Sequence, residues 1–275
     1  MIKLLSWNIA HRPELWRILL EMDVDIALVQ EACEPPPEIA ERIRVDTEPW
    51  RTEGAGLKRF WRTAVVCLNP QMDVQWHTAL SICNAKLGEF AVSRRGTLAA
   101  ADVVDSDTNE TFTVLSMYSS WENPHQSTGS SWIYADSSAH RLISDLAVFI
   151  GQQRGHRIIA TGDLNILYGY GEGGNSYWAG RYQTIFDRMT AIGLRFVGPQ
   201  APHGRQADPW PSELPRDSLN VPTFHSNRQT PASATRQLDF VFASAEIANR
   251  INVRALNQLE EWDSGDHCRI GIDLV

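Results

Sequence analysis

Apolar positions along the chain follow two rhythms. Residues 2–9, 25–31, 63–69, 97–104, 111–118 and 157–163 carry short apolar runs or alternations, the period of β-strands. The run "DIALVQE" is apolar at consecutive positions, which predicts a strand covered on both faces. Other stretches are spaced for helices. Leu15, Ile18, Leu19 and Met22 share one face of residues 13–22, with Pro13 suited to the first turn. Leu142, Ile143, Leu146, Phe149 and Ile150 form a second stripe, after Asp136 or Ser137 as a cap. Tyr182, Ile185, Met189 and Ile192 form a third over Arg181–Ile192, ended by Gly193. Two strands close the chain, "QLDFVFAS" and "HCRIGIDLV". Strands outnumber helices, and helices do not follow every strand. The expected architecture is therefore two packed sheets with helices on their outer faces.

Residues 198–236 are rich in proline and polar groups and predict an ordered surface loop, long enough to suggest a function. No repeat, low-complexity tract or dividing linker interrupts the 275 residues, so a single domain over 1–275 is expected. A hydrophobic share of 43% and a charged share of 21% are those of a soluble protein. No apolar run approaches the roughly 18 residues of a membrane span. The opening "MIKLLSWNIAH" reads as a first strand rather than a signal peptide. Four cysteines without Cys-x-x-Cys or zinc spacing suit free thiols in a reducing cytoplasm. The net charge of −8 argues against a life of non-specific duplex binding. A phosphate ester would instead be handled at a local site, through a divalent cation held by carboxylates.

Polar residues recur where strands end: Asn8, Gln30 with Glu31, Tyr118, Asp163 with Asn165, Asp239, and Asp266 with His267. Singly they have plain explanations. Asp163 and Asn165 can be turn formers, and Asp266 and His267 a surface pair. Asp239 is harder to dismiss, because a carboxylate between Leu238 and Phe240 is costly to bury unless paired. Their recurrence at strand ends, where rigid sheets assemble sites, points to one shared site.

The ordered motifs "SWNI", "LVQE", "GDLN", "QLDFVF" and "GDHC", spread over residues 6–268, resemble the endonuclease/exonuclease/phosphatase superfamily. The resemblance implies a four-layered α/β sandwich of two mixed β-sheets flanked by helices, and Mg²⁺-dependent phosphoester hydrolysis, with Mn²⁺ as a substitute. It implies Glu31 as the principal metal ligand, with Asn8 and Asp266 beside it. Asp163 would orient or deprotonate the attacking water, and Asn165 would steady it or a phosphoryl oxygen. His267 would contact the phosphoryl group, Asp239 would orient His267, and Tyr118 would face the scissile phosphate. The residue types agree with that chemistry: Mg²⁺ takes carboxylate and amide oxygens, and Asp163 and Asn165 share one face of an extended segment. Asp266 and His267 can serve together only from a turn, which Gly265 would permit.

The sequence also departs from the AP-endonuclease pattern. Ala10 stands in place of an acidic residue, "YSSWENPH" in place of a Pro-Asn turn, and Gly265 in place of serine. A basic, aromatic segment interleaves Trp50, Phe60 and Trp61 with Arg51, Lys58, Arg59 and Arg62, either a nucleic-acid track or a solvated loop. "GYGEGG" lacks the Lys-Ser/Thr of a P-loop and reads as a flexible rim beside Asn165, with Tyr168, Tyr170, Tyr177 and Trp178 near substrate. The leading expectation is a monomeric nuclease acting on nucleic acid. A phosphatase or phosphodiesterase of nucleotides, inositol phosphates or lipid-linked esters is the second, and a non-catalytic binding protein the third.

Overall fold

The computed structural model describes residues 1–275 apart from 55, 56, 107, 132 and 153–155, and apart from the side chains of 53, 54, 57, 58, 151 and 152. Two six-stranded mixed sheets dominate. The first contains β1 (Ile2–Asn8), β2 (Ile26–Ala32), β3 (Arg44–Val45), β6 (Arg62–Cys67), β15 (Ile251–Leu256) and β16 (Arg269–Leu274), in the order β15-β16-β1-β2-β6-β3. The second contains β7 (Met72–His77), β10 (Leu98–Asp105), β11 (Glu110–Tyr118), β12 (Ile158–Asp163), β13 (Leu194–Gly198) and β14 (Asp239–Ser244), in the order β13-β14-β12-β11-β10-β7. Two small ribbons, β4 (Thr52–Gly54) with β5 (Leu57–Arg59) and β8 (Leu80–Ser81) with β9 (Ala91–Val92), complete the strands. Helices are α1 (Leu15–Glu21), α2 (Pro37–Ala40), α3 (Ala135–Gln152) and α4 (Ser176–Ala191).

Strand alternation sorts side chains into layers. Leu4 of β1 enters the seam between the sheets with Leu28, Val65, Val114, Ile159 and Val241. Its neighbours Leu5 and Trp7 face outward, where Leu15, Trp16 and Leu19 of α1 cover them. The other sheet repeats the scheme, with Ala160, Phe240 and Phe242 packed under Leu142 and Leu146 of α3 and Ile185 and Phe186 of α4. The result is the four-layered sandwich that the motifs imply. A polar clasp crosses the seam: Gln30 Nε2 donates to Ser116 Oγ at 3.0 Å, and Ser116 Oγ donates to Val29 O at 2.9 Å.

Each sheet has one parallel pair near its centre, β1/β2 and β11/β12. The parallel pair of the second sheet constrains Gly162. It lies opposite Met117 with φ +152°, and a Cβ there would sit 1.9 Å from Met117 O. Gly162→Ala is therefore expected to cost about 3 kcal/mol or more, read as a lower urea midpoint; a variant within about 1 kcal/mol of the parent would contradict this packing.

Several boundaries differ from the sequence reading. α4 begins at Ser176, because Asn175 Oδ1 accepts Tyr177 N–H at 2.9 Å and caps an extra turn. Asp136 sits inside α3 and takes Arg181 Nε at 2.8 Å instead of capping. The sequence pattern does not predict β7, β13 or β15, although Ile251, Val253 and Ala255 alternate inward. The 198–236 segment is more than a surface loop. Val221 joins the seam core, and Thr223 Oγ1 accepts the N–H groups of Leu238 and Asp239 at 2.9 and 3.1 Å. Tyr168 and Tyr170 belong to the core under α4 rather than to a rim.

Candidate active site

The carboxyl ends of β1, β2, β11 and β12 and the amino end of β14 meet at one edge of the sandwich. Asn8 ends β1 beside Gln30, and Tyr118, Asp163 and Asp239 lie in register across β11, β12 and β14. Glu31 occupies an irregularity in β2, where the β2/β6 register shifts between Val29 and Ala32 and its own φ is +46°. Gln30 follows Leu28 into the seam by regular alternation, and the break turns Glu31, due for the outer face, toward the site. Asp266 and His267 arrive from the turn before β16. Gly265 is not among the left-handed glycines; its missing Cβ matters instead for space, since a Cβ would lie 3.3 Å from Leu15 Cδ1. Glu31, Tyr118, Asp163, Asn165, Asp266 and His267 line one open cleft, with Ser120, Trp121 and Phe224 on its walls.

Asn8 and Asp239 stand behind that surface. Asn8 Nδ2 donates to Glu31 Oε1 at 3.2 Å and to Asp163 Oδ2 at 3.0 Å, while its Oδ1 accepts Ala10 N–H at 3.0 Å. Asp163 Oδ1 accepts Asn165 N–H at 2.9 Å, and its Oδ2 accepts Asn165 Nδ2 at 3.0 Å. Asn165 is left-handed, φ +51°, and its amide also donates to Ser119 O at 2.8 Å. His267 Nδ1 bonds Asp239 Oδ2 at 2.9 Å, and its Nε2 lies 3.7 Å from Asp163 Oδ2. Phe224 packs on the imidazole at 4.9 Å. The polar residues of both sheets thus form one connected network.

Burial works against a charged imidazole, but the carboxylates of Asp239 and Asp163 together with the bond to Asp239 outweigh it, and the His267 pKa rises to about 10. Burial pushes the Asp163 carboxyl upward, against the pull of His267 and with the help of Asp239 and Glu31. The partners at its oxygens are nevertheless N–H donors, from Asn8 and Asn165, the pattern that suits the carboxylate. Glu31 lies below its ordinary value: burial opposes this, but His11 Nε2 at 3.0 Å and the Asn8 amide stabilise the anion. Tyr118 is raised well above its ordinary range by burial and by Glu31 and Asp163, so it remains a neutral phenol.

The sign of the His267 shift fixes a pH dependence. A pKa raised from 6.5 to about 10 contributes stability that is complete below pH 6.5 and lost as pH rises through about 10. The melting-temperature gap between the parent and His267→Gln should therefore shrink between pH 7 and 10.5. A constant gap would show that the imidazole is not held as a cation.

Asp163, Asp239 and His267 have ligand atoms within 4.8 Å of one another. His267 already spends Nδ1 on Asp239 and faces Asp163 with Nε2, so these three are better described as a carboxylate–imidazolium–carboxylate array than as a metal cage. A hard cation is better matched by Glu31 and Asp266. Asp266 Oδ1 is enclosed and has no hydrogen-bond partner among the described residues, an orphaned anionic oxygen in the same cleft as Glu31.

Sequence reasoning missed His11, whose ring stacks on Trp61 at 5.3 Å while bonding Glu31. It carried no motif, and its left-handed backbone, φ +59°, gives no composition signal. The basic aromatic segment divides into two parts. Trp50 and Arg62 are structural, with Arg62 stacked on Trp50 at 4.2 Å and paired with Asp46 at 2.9 Å. Arg59 lies over Trp61 at 4.7 Å, and Trp61 meets Tyr118 edge-on at 4.8 Å. The Lys58 side chain lies outside the described residues.

The model of the Endonuclease/Exonuclease/phosphatase family matches residues 5–259. The chain belongs to this family. Members of the family are hydrolases of phosphoester bonds. No curated protein sequence matches significantly. Among solved structures, the chain is similar to an AP endonuclease from Leishmania major, at 14% identity and TM-score 0.60 over 98% of this chain and 86% of that one. It is similar to a 3'-5' exonuclease from Neisseria meningitidis, at 15% identity and TM-score 0.58 over 99% of each chain. It is also similar to a mannosyl-6-phosphatase from Bacteroides thetaiotaomicron, at 14% identity and TM-score 0.56 over the whole of both chains. At such identities the likeness shows a shared fold. No helix among the described residues is long and apolar enough to cross a membrane.

Proposed function

We propose that the chain, acting as one catalytic unit over residues 1–275, is a divalent-metal-dependent phosphodiesterase, with nucleic acid as its leading substrate. The observation that carries this reading is the orphaned Asp266 Oδ1 in a cleft it shares with Glu31, Asp163 and Asn165. Glu31 and Asp266 would hold the metal, Mg²⁺ by donor type with Mn²⁺ as a substitute, and Asn8 would steady Glu31. When bound, the cation polarises the phosphoryl oxygen and offsets developing charge.

The remaining steps belong to the chain. Asp163 takes the proton of a water whose oxygen attacks phosphorus, while the bond from phosphorus to the leaving oxygen breaks and that oxygen takes up a proton from solvent. Asn165, its Nδ2 held at Asp163 Oδ2 and Ser119 O, orients that water by accepting one of its O–H groups at Oδ1. His267, kept cationic by Asp239, directs an N–H at a phosphoryl oxygen, and the neutral Tyr118 offers a second donor. The resemblance to a nuclease fold supports a polymer substrate. The net charge of −8 supports the second reading, a phosphatase or phosphodiesterase of small or lipid-linked phosphate esters.

A panel of single-stranded DNA, duplex DNA, RNA, nucleotides and inositol phosphates, run in Mg²⁺, Mn²⁺ and EDTA, decides between them. Metal-dependent polymer cleavage is expected. Turnover confined to small esters would favour the second reading, and silence throughout would remove both.

A further inference from the structure

Three arginines converge on the Tyr118 wall of the cleft, and the hydrolytic chemistry uses none of them. Arg59 lies over Trp61, which abuts Tyr118. Arg94 Nη1 donates to Ser120 Oγ at 2.7 Å, and Ser120 lines the cleft two residues beyond Tyr118. Arg141 donates to Ser138 Oγ at 2.8 Å, the same oxygen that accepts Ser120 N–H at 3.0 Å. Among the described residues, one carboxylate serves this group: Glu122 bonds Arg141 and lies 3.9 Å from Arg94. Three cations thus share one ion-pairing carboxylate, with Glu31 acting on Arg59 only through space, in a protein whose net charge is −8.

The free protein carries a cost for this arrangement. Arg59 Nη1 is enclosed with no hydrogen-bond partner among the described residues. Burial first, then the charge of Arg94, lowers the Arg59 pKa to about 10, which still leaves a cation at neutral pH. An enclosed N–H without an acceptor and crowded like charges are both unfavourable until an anion arrives. Guanidinium forks match phosphate oxygens in geometry as well as charge.

We infer that Arg59 and Arg94, backed by Arg141, form a second anion subsite that takes a phosphate group next to the one being cleaved. The inference rests on the proposed function for the position of the scissile phosphate. It narrows the substrate class to compounds with at least two phosphates, whether a neighbouring nucleotide in a strand or a terminal phosphate on a small molecule.

The test measures equilibrium binding to the full-length Asp163→Asn protein in Mg²⁺, which separates recognition from turnover. The probes are thymidine 5'-monophosphate, thymidine 3',5'-bisphosphate and 5'-phosphorylated dithymidylate. The bisphosphate is expected to bind about tenfold tighter than the monophosphate, with a preference that declines as salt rises. Arg59→Gln with Arg94→Gln should erase the preference and leave monophosphate affinity unchanged; Arg94→Gln alone serves if the pair disturbs circular dichroism. A dithymidylate advantage equal to or above that of the bisphosphate identifies the neighbouring nucleotide as the source, and a smaller one the terminal phosphate. Equal binding of mono- and bisphosphate, or a preference that survives the arginine substitutions, overturns the subsite. If the arginine-dependent preference stands while the parent hydrolyses nothing in the panel, the subsite survives and the proposed hydrolysis does not.

Discussion

Asp163→Asn is expected to reduce turnover of a phosphodiester by about 10²- to 10⁴-fold, the range for removing a positioned general base. The substitution keeps the shape of the side chain, so the loss would report chemistry rather than packing. Its structural cost is bounded by the hydrogen bonds at this position. Asp163 offers two acceptor oxygens to Asn8 Nδ2, Asn165 N and Asn165 Nδ2. An amide at 163 can offer only one oxygen, leaving one N–H facing another N–H, a penalty of about 1–3 kcal/mol. Removing a buried charge beside Asp239 and Glu31 offsets part of this. Urea unfolding should therefore place the variant within about 2 kcal/mol of the parent. Activity near the parent level would show that another group accepts the proton.

His267→Ala should affect both quantities. The imidazolium lies between Asp239 at 2.9 Å and Asp163 at 3.7 Å, and all three side chains are buried. Its removal leaves two buried carboxylates facing one another, and breaking such a pair from one side costs about 3–5 kcal/mol. Turnover should fall by about 10²- to 10³-fold as the proposed donor to the phosphoryl oxygen is lost. A second substitution separates the two effects. Asp239→Asn in the His267→Ala background removes one stranded charge, so it should recover stability without recovering activity. Recovered activity would mean that His267 serves only as a counter-ion.

Much of this site is readable in the sequence because its residues interrupt apolar strands. Asp239 between Leu238 and Phe240, and "GDLN" after "RIIAT", are polar groups where burial is otherwise complete, and each of these carboxylates needs a partner. The layers are readable for a similar reason, since Leu4, Leu5 and Trp7 fill both faces of a central strand. The relations across the chain are not readable. Nothing in the local pattern announces that His11 reaches Glu31, that Arg94 reaches Ser120, or that Thr223 holds the N–H of Asp239. These depend on left-handed turns and long loops whose paths are set by tertiary packing. The edge strands β7 and β13 carry a weaker signal for the converse reason, being faced partly by solvent.

The seam clasp between Gln30 and Ser116 has a consequence for how the protein would fail under stress. Asn8, Glu31, Asp266 and His267 ride on one sheet or its flanking turn, and Tyr118, Asp163, Asn165 and Asp239 on the other. A slip of one sheet over the other by about an ångström would leave every backbone ladder intact yet misplace donor and acceptor, a displacement that can cost about 10² in rate. Enzymatic output is then a finer gauge of sheet registry than any spectroscopic signal of secondary structure. In mild denaturant the protein should fall silent while it still looks folded.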